Sequence, residues 1–279
     1  MATSPNTLPN NLSLYRYKRT NKSYTEDLGD GVKLTLMLIP SGEFLMGAPP
    51  EELESEDRER PQHRVTVAQF LMGRYSVTQE QWRVVAGYPR NRKELDPALS
   101  RFKGANLPVE RVGWEDAQEF CQRLSVKSGK DYRLPSEAQW EYGCRAGTET
   151  PFHFGETLTT ELANYNGGYI YNGSPKGEYR KKTSEVGSFP ANDWGLYDMH
   201  GNVWEWCEDD YYSSYEGAPS DGSAWVESDR TGTRRLLRGG SWSYAPRGCR
   251  SAVRYDFAHD FISHNVGFRV CCVPPRTFS

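Results

Sequence analysis

Arg238-Gly-Gly-Ser-Trp242 and Asn265-Val-Gly-Phe-Arg-Val270 frame the stretch on which the fold and the function of this chain both turn. Both ends read as fixed framework. Gly239 and Gly240 permit backbone conformations closed to other residues. Trp242 and Phe268 are core-sized, and residues 266–270 read as a strand. Between the two ends, Tyr244, Tyr255, Phe257, His259, Phe261, Ile262 and His264 mix with Ser, Ala, Gly, Asp and Asn in no period of two or 3.6. Aperiodic sequence is loop sequence, yet a solvated loop should not hold so many aromatics. Large side chains on irregular backbone read as a contact surface, because aromatics dominate binding energetics. The plainer alternative is a loop packed on its own core.

The rest of the chain bounds what that surface can serve. Its 279 residues suffice for one large domain or two. Hydrophobic residues make up only 37%, while Gly (26), Pro (17), Trp (8) and Tyr (17) are plentiful. The core must therefore rest on aromatics rather than on aliphatic runs. A net charge of -3 gives no strong pull toward nucleic acid or anionic membrane. Residues 1–25 are polar, carry scattered Lys and Arg, and hold no apolar segment of the signal-peptide kind. They read as a flexible lead-in to a single domain over residues 26–275, and a cytoplasmic location is the expectation. No run of eighteen apolar residues predicts a membrane span. Cys121, Cys144, Cys207, Cys249, Cys271 and Cys272 form no Cys-x-x-Cys pair, so reduced thiols are expected and a structural zinc site is not.

Toward the N-terminus, residues 31–40, 42–47 and 63–67 read as strands. Glu51 to Glu59 is an acidic run, read as a solvated loop. Thr78 and Gln81 form a capping box that opens a helix stopped by Gly87. A second helix carries Trp114, Ala117, Phe120, Cys121 and Leu124 on one face and ends at Gly129. Ser136 and Gln139 open a third, closed by Gly147. Cys121 and Cys144 read as core thiols. From Thr148 to Leu236 there are only turn dipeptides, such as Asn172-Gly173, with aromatics between them. Irregular backbone of that length needs pinning by ions or packed aromatics. Asp198, Gly201, Val203 and Glu205 offer carboxylates and carbonyls at a spacing that suits calcium. The same spacing serves a turn whose Asp and Glu cap backbone amides.

Several ordered motifs then fall together: Leu107-Pro-Val109, Tyr132-Arg-Leu-Pro-Ser-Glu-Ala-Gln-Trp-Glu141, Arg145-Ala-Gly147, Gly195-Leu-Tyr197, Gly201-Asn-Val-Trp-Glu-Trp206, Leu237-Arg-Gly-Gly-Ser-Trp242 and Gly267-Phe-Arg-Val270. In this set the chain resembles the formylglycine-generating enzyme (sulfatase-modifying factor) family, from about Leu34 to Val270. The resemblance implies one α+β domain of C-type-lectin-like fold, loop-rich, with short twisted antiparallel sheets and two main helices. It also implies calcium at Asp198, Gly201, Val203 and Glu205, and again at Asn164, Tyr165, Glu178 and Arg180, with Tyr165 and Arg180 acting through their carbonyls.

The family's enzymes oxidise a cysteine to formylglycine, and the resemblance implies a copper(I) site built from two cysteines five residues apart. Here the second position is Cys249 but the first is Tyr244. A phenol cannot replace a soft thiolate, so no copper and no catalysis are expected. The alternative is a residual oxidoreductase of the formylglycine-generating type. The stretch also resembles the variable region of proteins targeted by diversity-generating retroelements, where adenines of Asn codons are randomised. Randomising the first two bases of AAC cannot yield Lys, Glu, Gln, Met or Trp. None of the five occurs from Ser243 to Asn265, although they form about one residue in five of the chain.

The positions expected to stay fixed are Pro246, Arg247, Cys249, Arg250, Ser251, Ala252 and Arg254. The candidates for variation, all reachable from Asn, are Ser243, Tyr244, Ala245, Gly248, Val253, Tyr255, Asp256, Phe257, Ala258, His259, Asp260, Phe261, Ile262, Ser263, His264 and Asn265. Tyr244, Tyr255, Phe257 and Phe261 would anchor a ligand; Asp256, His259, Asp260 and His264 would add polar specificity. Asp260 doubles as a candidate framework acid. His259 and His264 read as contact histidines, with a metal pair as the alternative. The expected partner is a protein, peptide or glycan, and the expected state a monomer. A lectin-like accessory domain with one fixed partner is the blander reading.

Overall fold

The computed structural model describes residues 18–230 and 232–274. Where a capping box was legible, the helix forms as its sequence dictates. Thr78 Oγ1 accepts from the Gln81 amide, and α1 runs Gln79–Ala86. Ser136 and Gln139 close the same reciprocal pair at the start of α3, Glu137–Arg145. Between them α2, Trp114–Ser128, begins at Gly113, whose amide is held by Asp116, and ends at left-handed Gly129. Among the described residues there are thus three helices, with α2 the longest.

Strands β1 (Ser23–Gly29), β2 (Val32–Ile39), β5 (Phe70–Gly73), β6 (Tyr132–Arg133) and β11 (Cys271–Cys272) form an antiparallel sheet in the order β1-β2-β5-β11-β6. β3 (Gly42–Met46) and β4 (His63–Val67) make a separate hairpin-like pair. A four-stranded sheet, β10-β7-β8-β9, joins β7 (Trp204–Asp210), β8 (Arg234–Arg238), β9 (Tyr255–Ala258) and β10 (Val266–Gly267). Its β10–β7 pairing is parallel and the others are antiparallel. Of the expected lead-in, residues 1–17 lie outside the described residues, and Ser23–Thr25 already belong to β1. The segment expected to be a strand over residues 266–270 divides into β10 and, beyond Val270, β11.

The core is aromatic, as the composition requires. Trp82 stacks on Phe120 with ring centroids 5.7 Å apart, and Phe268 meets both edge-on. Trp204 and Trp206 of β7 enter the same cluster; Trp140 joins a second, with Met72, Cys144 and Leu236. Cys121 and Cys144 are buried core thiols, and all six cysteines are free. The architecture is a loop-rich α+β fold whose irregular stretch, residues 146–203, packs in part on itself and on Cys249, and through Leu196 and Met199 joins the cluster that holds Cys207 of β7 and Leu236 of β8.

Candidate binding face

Two glycines start the segment. Gly240 has φ +74, and a Cβ there would come within 2.5 Å of Cys249 Sγ and 2.7 Å of the Gly248 carbonyl. Only glycine lets the chain turn this closely against itself. The segment that follows is fastened by main chain. The Trp242 amide donates to the Asn202 carbonyl, the Asn166 amide to Tyr244, the Ser251 amide to Pro151, the Trp114 amide to His259, and the Arg111 amide to Ser263 and Val266. β9 adds antiparallel pairing to β8, with Leu237 opposite Tyr255 and Arg234 opposite Ala258.

Arginines supply the remaining ties. Arg238, fully buried, donates to the carbonyls of Ser251, Ala252 and Val253 and to Glu141. Arg250 forks onto Glu59, with both contacts at 2.8 Å, and reaches Glu52. Arg254 forks onto Glu137 at 2.7 and 3.0 Å and donates to the Arg58 and Tyr212 carbonyls. Buried guanidinium groups whose donors meet carboxylates and carbonyls are strong, directional anchors. Glu59, read as part of a solvated acidic loop, is instead 1% exposed because Arg250 draws it inward.

Most side chains between these anchors are half-buried, and Tyr244, Tyr255, Phe257 and Phe261 pack partly against the main core. Pro246, Cys249, Arg250, Ser251, Ala252 and Arg254 are buried; of the positions expected to be fixed, only Arg247 is exposed. Of the candidate variable positions, only Val253 is buried. Ser243, Tyr244, Ala245, Gly248, Val253 and Tyr255 line a cavity of about 670 Å³. Its far wall comes from elsewhere in the chain: Glu54, Glu56, Arg58, Asn166, Tyr169 and Ile170. Those residues were not expected. The two glycines before Tyr169-Ile170 were the only signal, marking a turn that carries an apolar pair.

Trp204, Tyr244 and Tyr255 form a triangle of rings, with Trp204 edge-on to Tyr244 at 5.2 Å and tilted to Tyr255 at 5.3 Å, and the two tyrosines 5.8 Å apart. The phenol of Tyr244 is pushed up to about 12, by burial first and by Tyr255 beside it second.

The rest of the segment faces away from this cavity. Phe257 and Phe261 stack face to face at 3.6 Å, and Asp256 pairs with Arg234. His259 Nδ1 lies 3.2 Å from Glu115, while Asp260 and Ile262 are exposed. His264 packs against Trp242 and Phe102, and burial with Arg101 and Arg111 nearby lowers its pKa. The Ser263 hydroxyl donates to Asn265 Oδ1, and Asn265 Nδ2 to Ser243 Oγ. The two histidines have separate surroundings, and among the described residues no three His, Cys, Asp or Glu side chains converge as a metal-ligand group. Cys249 is buried, and burial raises its thiol to about 12.

The groups expected to hold calcium divide. Asp198 Oδ1 and Asn164 Oδ1 are buried acceptors without a hydrogen-bond partner, which an oxygen-seeking cation would satisfy. Asp198 Oδ2 accepts from the Gly187 amide at 2.8 Å. The Gly201 backbone packs against the Asn164 carbonyl, 2.4 Å from where a Cβ would stand, and Tyr165 and Val203 are buried beside these turns.

Glu205 and Glu178 do not fit. Both Glu205 oxygens are filled, by Ser76 and Trp140 at 2.7 Å each and by a two-point pair with Arg269, leaving no lone pair for a cation. Glu178 is on the surface, paired with the Arg180 side chain at 3.3 Å.

Residues 31–273 match the sulfatase-modifying factor enzyme 1-like domain. The chain is 34% identical to PvdO from Pseudomonas aeruginosa, with a TM-score of 0.77 over 92% of this chain and 100% of that one. It is 26% identical to Treponema denticola variable protein 1, with a TM-score of 0.71 over the same shares. It is also 31% identical over 253 residues to the serine/threonine-protein kinase pkn1 of Chlamydia caviae. That match covers 84% of this chain but only 37% of the kinase's length. The chain therefore belongs to the sulfatase-modifying factor enzyme 1-like domain family and carries that family's C-type-lectin-like fold.

Proposed function

We propose that this chain is a non-catalytic binding protein that displays residues 243–265 as a diversified face and is the target of a diversity-generating retroelement. One observation carries the reading. The positions read as candidates for variation are, except for Val253, at least partly open to solvent, and those read as fixed are, except for Arg247, buried. A fold that fastens the segment chiefly through main chain and arginines asks less of the displayed side chains, and such preorganisation lowers the entropy cost of binding. The likeness to Treponema denticola variable protein 1 supports the same reading.

Catalysis of the formylglycine-generating type needs a second soft ligand, where this chain has Tyr244. The phenol offers an oxygen, and Cys249 is the single thiol left of the pair. The discriminating experiment loads the protein with copper(I), adds a cysteine-containing peptide and follows oxygen uptake. No uptake is expected, and turnover would sink the proposal. The positive arm is a library with the variable positions randomised together. Most members should fold and unfold with the parent's cooperativity; widespread misfolding would refute the idea of a free display face.

Calcium has a structural place in this proposal. Asp198, with the carbonyls of Gly201 and Val203, would hold one ion, and Asn164 with the Tyr165 carbonyl a second. The ion's role is to neutralise buried acceptors and pin irregular backbone.

A further inference from the structure

Beside His264 the surface carries a row of rings with a cation at each end. Tyr179 and Trp242 stack with centroids 6.1 Å apart, and Phe102 meets Trp242 edge-on at 5.7 Å. Lys181 Nζ lies 5.9 Å from the Tyr179 ring at one end, and the Arg101 guanidinium 5.8 Å from Phe102 at the other. His264 touches the row at Trp242, 5.3 Å away, and at Phe102, 6.3 Å away. A third cation flanks it, because the Arg111 amide donates to the Ser263 carbonyl at 3.0 Å, one residue from His264.

These cations are not spent on partners within the chain. Arg101, Arg111 and Lys181 are exposed, and among the described residues none of the three makes a salt bridge. Glu110 acts on Arg111 from below, yet it is fully buried, gives one oxygen to the Phe102 amide at 2.9 Å, and burial raises its pKa. It leaves the solvent side of the guanidinium open. The charges that act on His264 are Arg101 and Arg111, so the local field is positive although the whole chain carries -3.

The same surroundings limit the size of an anion. Glu178 stands next to Tyr179, and Glu185 precedes Val186, whose amide donates to the Asn106 carbonyl; both glutamates are exposed. A long polyanion such as nucleic acid would run from the row onto these acids and meet a chain of like sign. A short run of carboxylates would not. Guanidinium forks match carboxylates in shape as well as charge, and half-buried rings offer contact to the methylenes of acidic side chains. We infer that Arg101, Arg111 and Lys181, with the rings between them, dock a short acidic segment of a protein partner, its carboxylates on the two arginines. All three cations lie outside residues 243–265, so the inference goes beyond the display reading and stands whether or not that segment varies.

The test uses the intact protein and three probes: acetylated hexaglutamate amide, its glutamine counterpart, and a short DNA duplex. NMR follows the His264 imidazole and the Trp242 indole N–H. Hexaglutamate should shift both signals saturably and raise the pKa of His264, because bound carboxylates offset the two arginines. The glutamine peptide should shift neither. Raising sodium chloride from about 0.05 to about 0.5 M should weaken hexaglutamate, since screening acts on exposed charge pairs. The double variant Arg101→Gln with Arg111→Gln, both on the surface, should bind hexaglutamate at least about fivefold more weakly, and Lys181→Glu should also weaken it. Lys127→Gln, at the far end of α2, removes an exposed cation elsewhere and should leave binding unchanged. Equal binding of the glutamine peptide, full affinity in the double variant, equal weakening in Lys127→Gln, a duplex that binds more tightly than hexaglutamate, or no shift at either signal would overturn the acidic dock.

Discussion

Arg250 and Glu59 face each other as a two-point pair, each terminal guanidinium nitrogen 2.8 Å from one carboxylate oxygen, and both side chains are buried. One partner belongs to the display segment and the other to the scaffold, so the pair fixes where the segment lies. Removing one partner strands a charge in the interior. Arg250→Ala should cost about 3–5 kcal/mol. Asp260→Ala and Ile262→Ser, a few residues along but on the surface, should stay within about 0.5 kcal/mol of the parent. Urea unfolding of the three variants checks the contrast, which equal losses would contradict.

Gly240 and Gly129 share a left-handed backbone, at φ +74 and +71, but differ in surroundings. Nothing lies within 4 Å of a Cβ built on Gly129, whereas Gly240 abuts Cys249 Sγ and the Gly248 carbonyl. Gly129→Ala should therefore show the conformational penalty alone, about 1 kcal/mol. Gly240→Ala should add a packing clash and reach about 3 kcal/mol. Thermal unfolding of the two variants measures the difference; similar losses would mean that the close approach to Cys249 is relaxed in solution.

His153 stacks on Phe154 at 3.8 Å and on His200 at 4.7 Å, and neither ring nitrogen has a hydrogen-bond partner. Burial, and secondarily His200, holds its pKa well below 6.5. A histidine depressed in the folded state binds more protons when unfolded, so its contribution is complete above pH 6.5 and is lost as the pH falls below that value. The slope should approach about 1.4 kcal/mol per pH unit. Denaturant midpoints at pH 7, 6 and 5 should fall in that order, and His153→Phe should flatten the decline. An unchanged slope in that variant would place the acid sensitivity elsewhere.

Chelation tests the cation proposal. At a calcium concentration of about 100 Kd the folded state gains roughly 2.7 kcal/mol. For a chain of this size that corresponds to a melting temperature higher by roughly 5–10 °C than in a chelator. Asp198→Ala should lose most of the response, while Glu178→Gln should keep it. A melting temperature indifferent to calcium in the parent would dismiss the ion.

Helices were legible because their start and stop signals are local. Thr78 with Gln81, Ser136 with Gln139, and Gly129 each act within a few residues. Strands β7 and β9 were not. Trp204-Glu-Trp-Cys-Glu-Asp-Asp210 is buried along almost its whole length, so no alternation of apolar and polar residues marks it. Tyr255–Ala258 became a strand only because β8 lies beside it.

The same limit governs the candidate site. Glu205 looked like a cation ligand by spacing, but Arg269, 64 residues further on, fills its oxygens. Glu59 looked solvated until Arg250 was placed beside it. Residue type announced the variable wall of the cavity, since so many exposed-looking aromatics are rare in loops. The far wall depended on where residues 54–58 and 166–170 come together beside the segment, and no single stretch records that.

Hydrogen bonds from peptide groups are indifferent to which amino acid carries them. A segment moored through its amides and carbonyls keeps those ties when a side chain is exchanged. On the proposed reading, foldability and recognition become separate inheritances: the first is guarded by glycines, arginines and strand pairing, while the second is open to rewriting. Natural selection on such a molecule would grade what it grips and seldom whether it holds its shape.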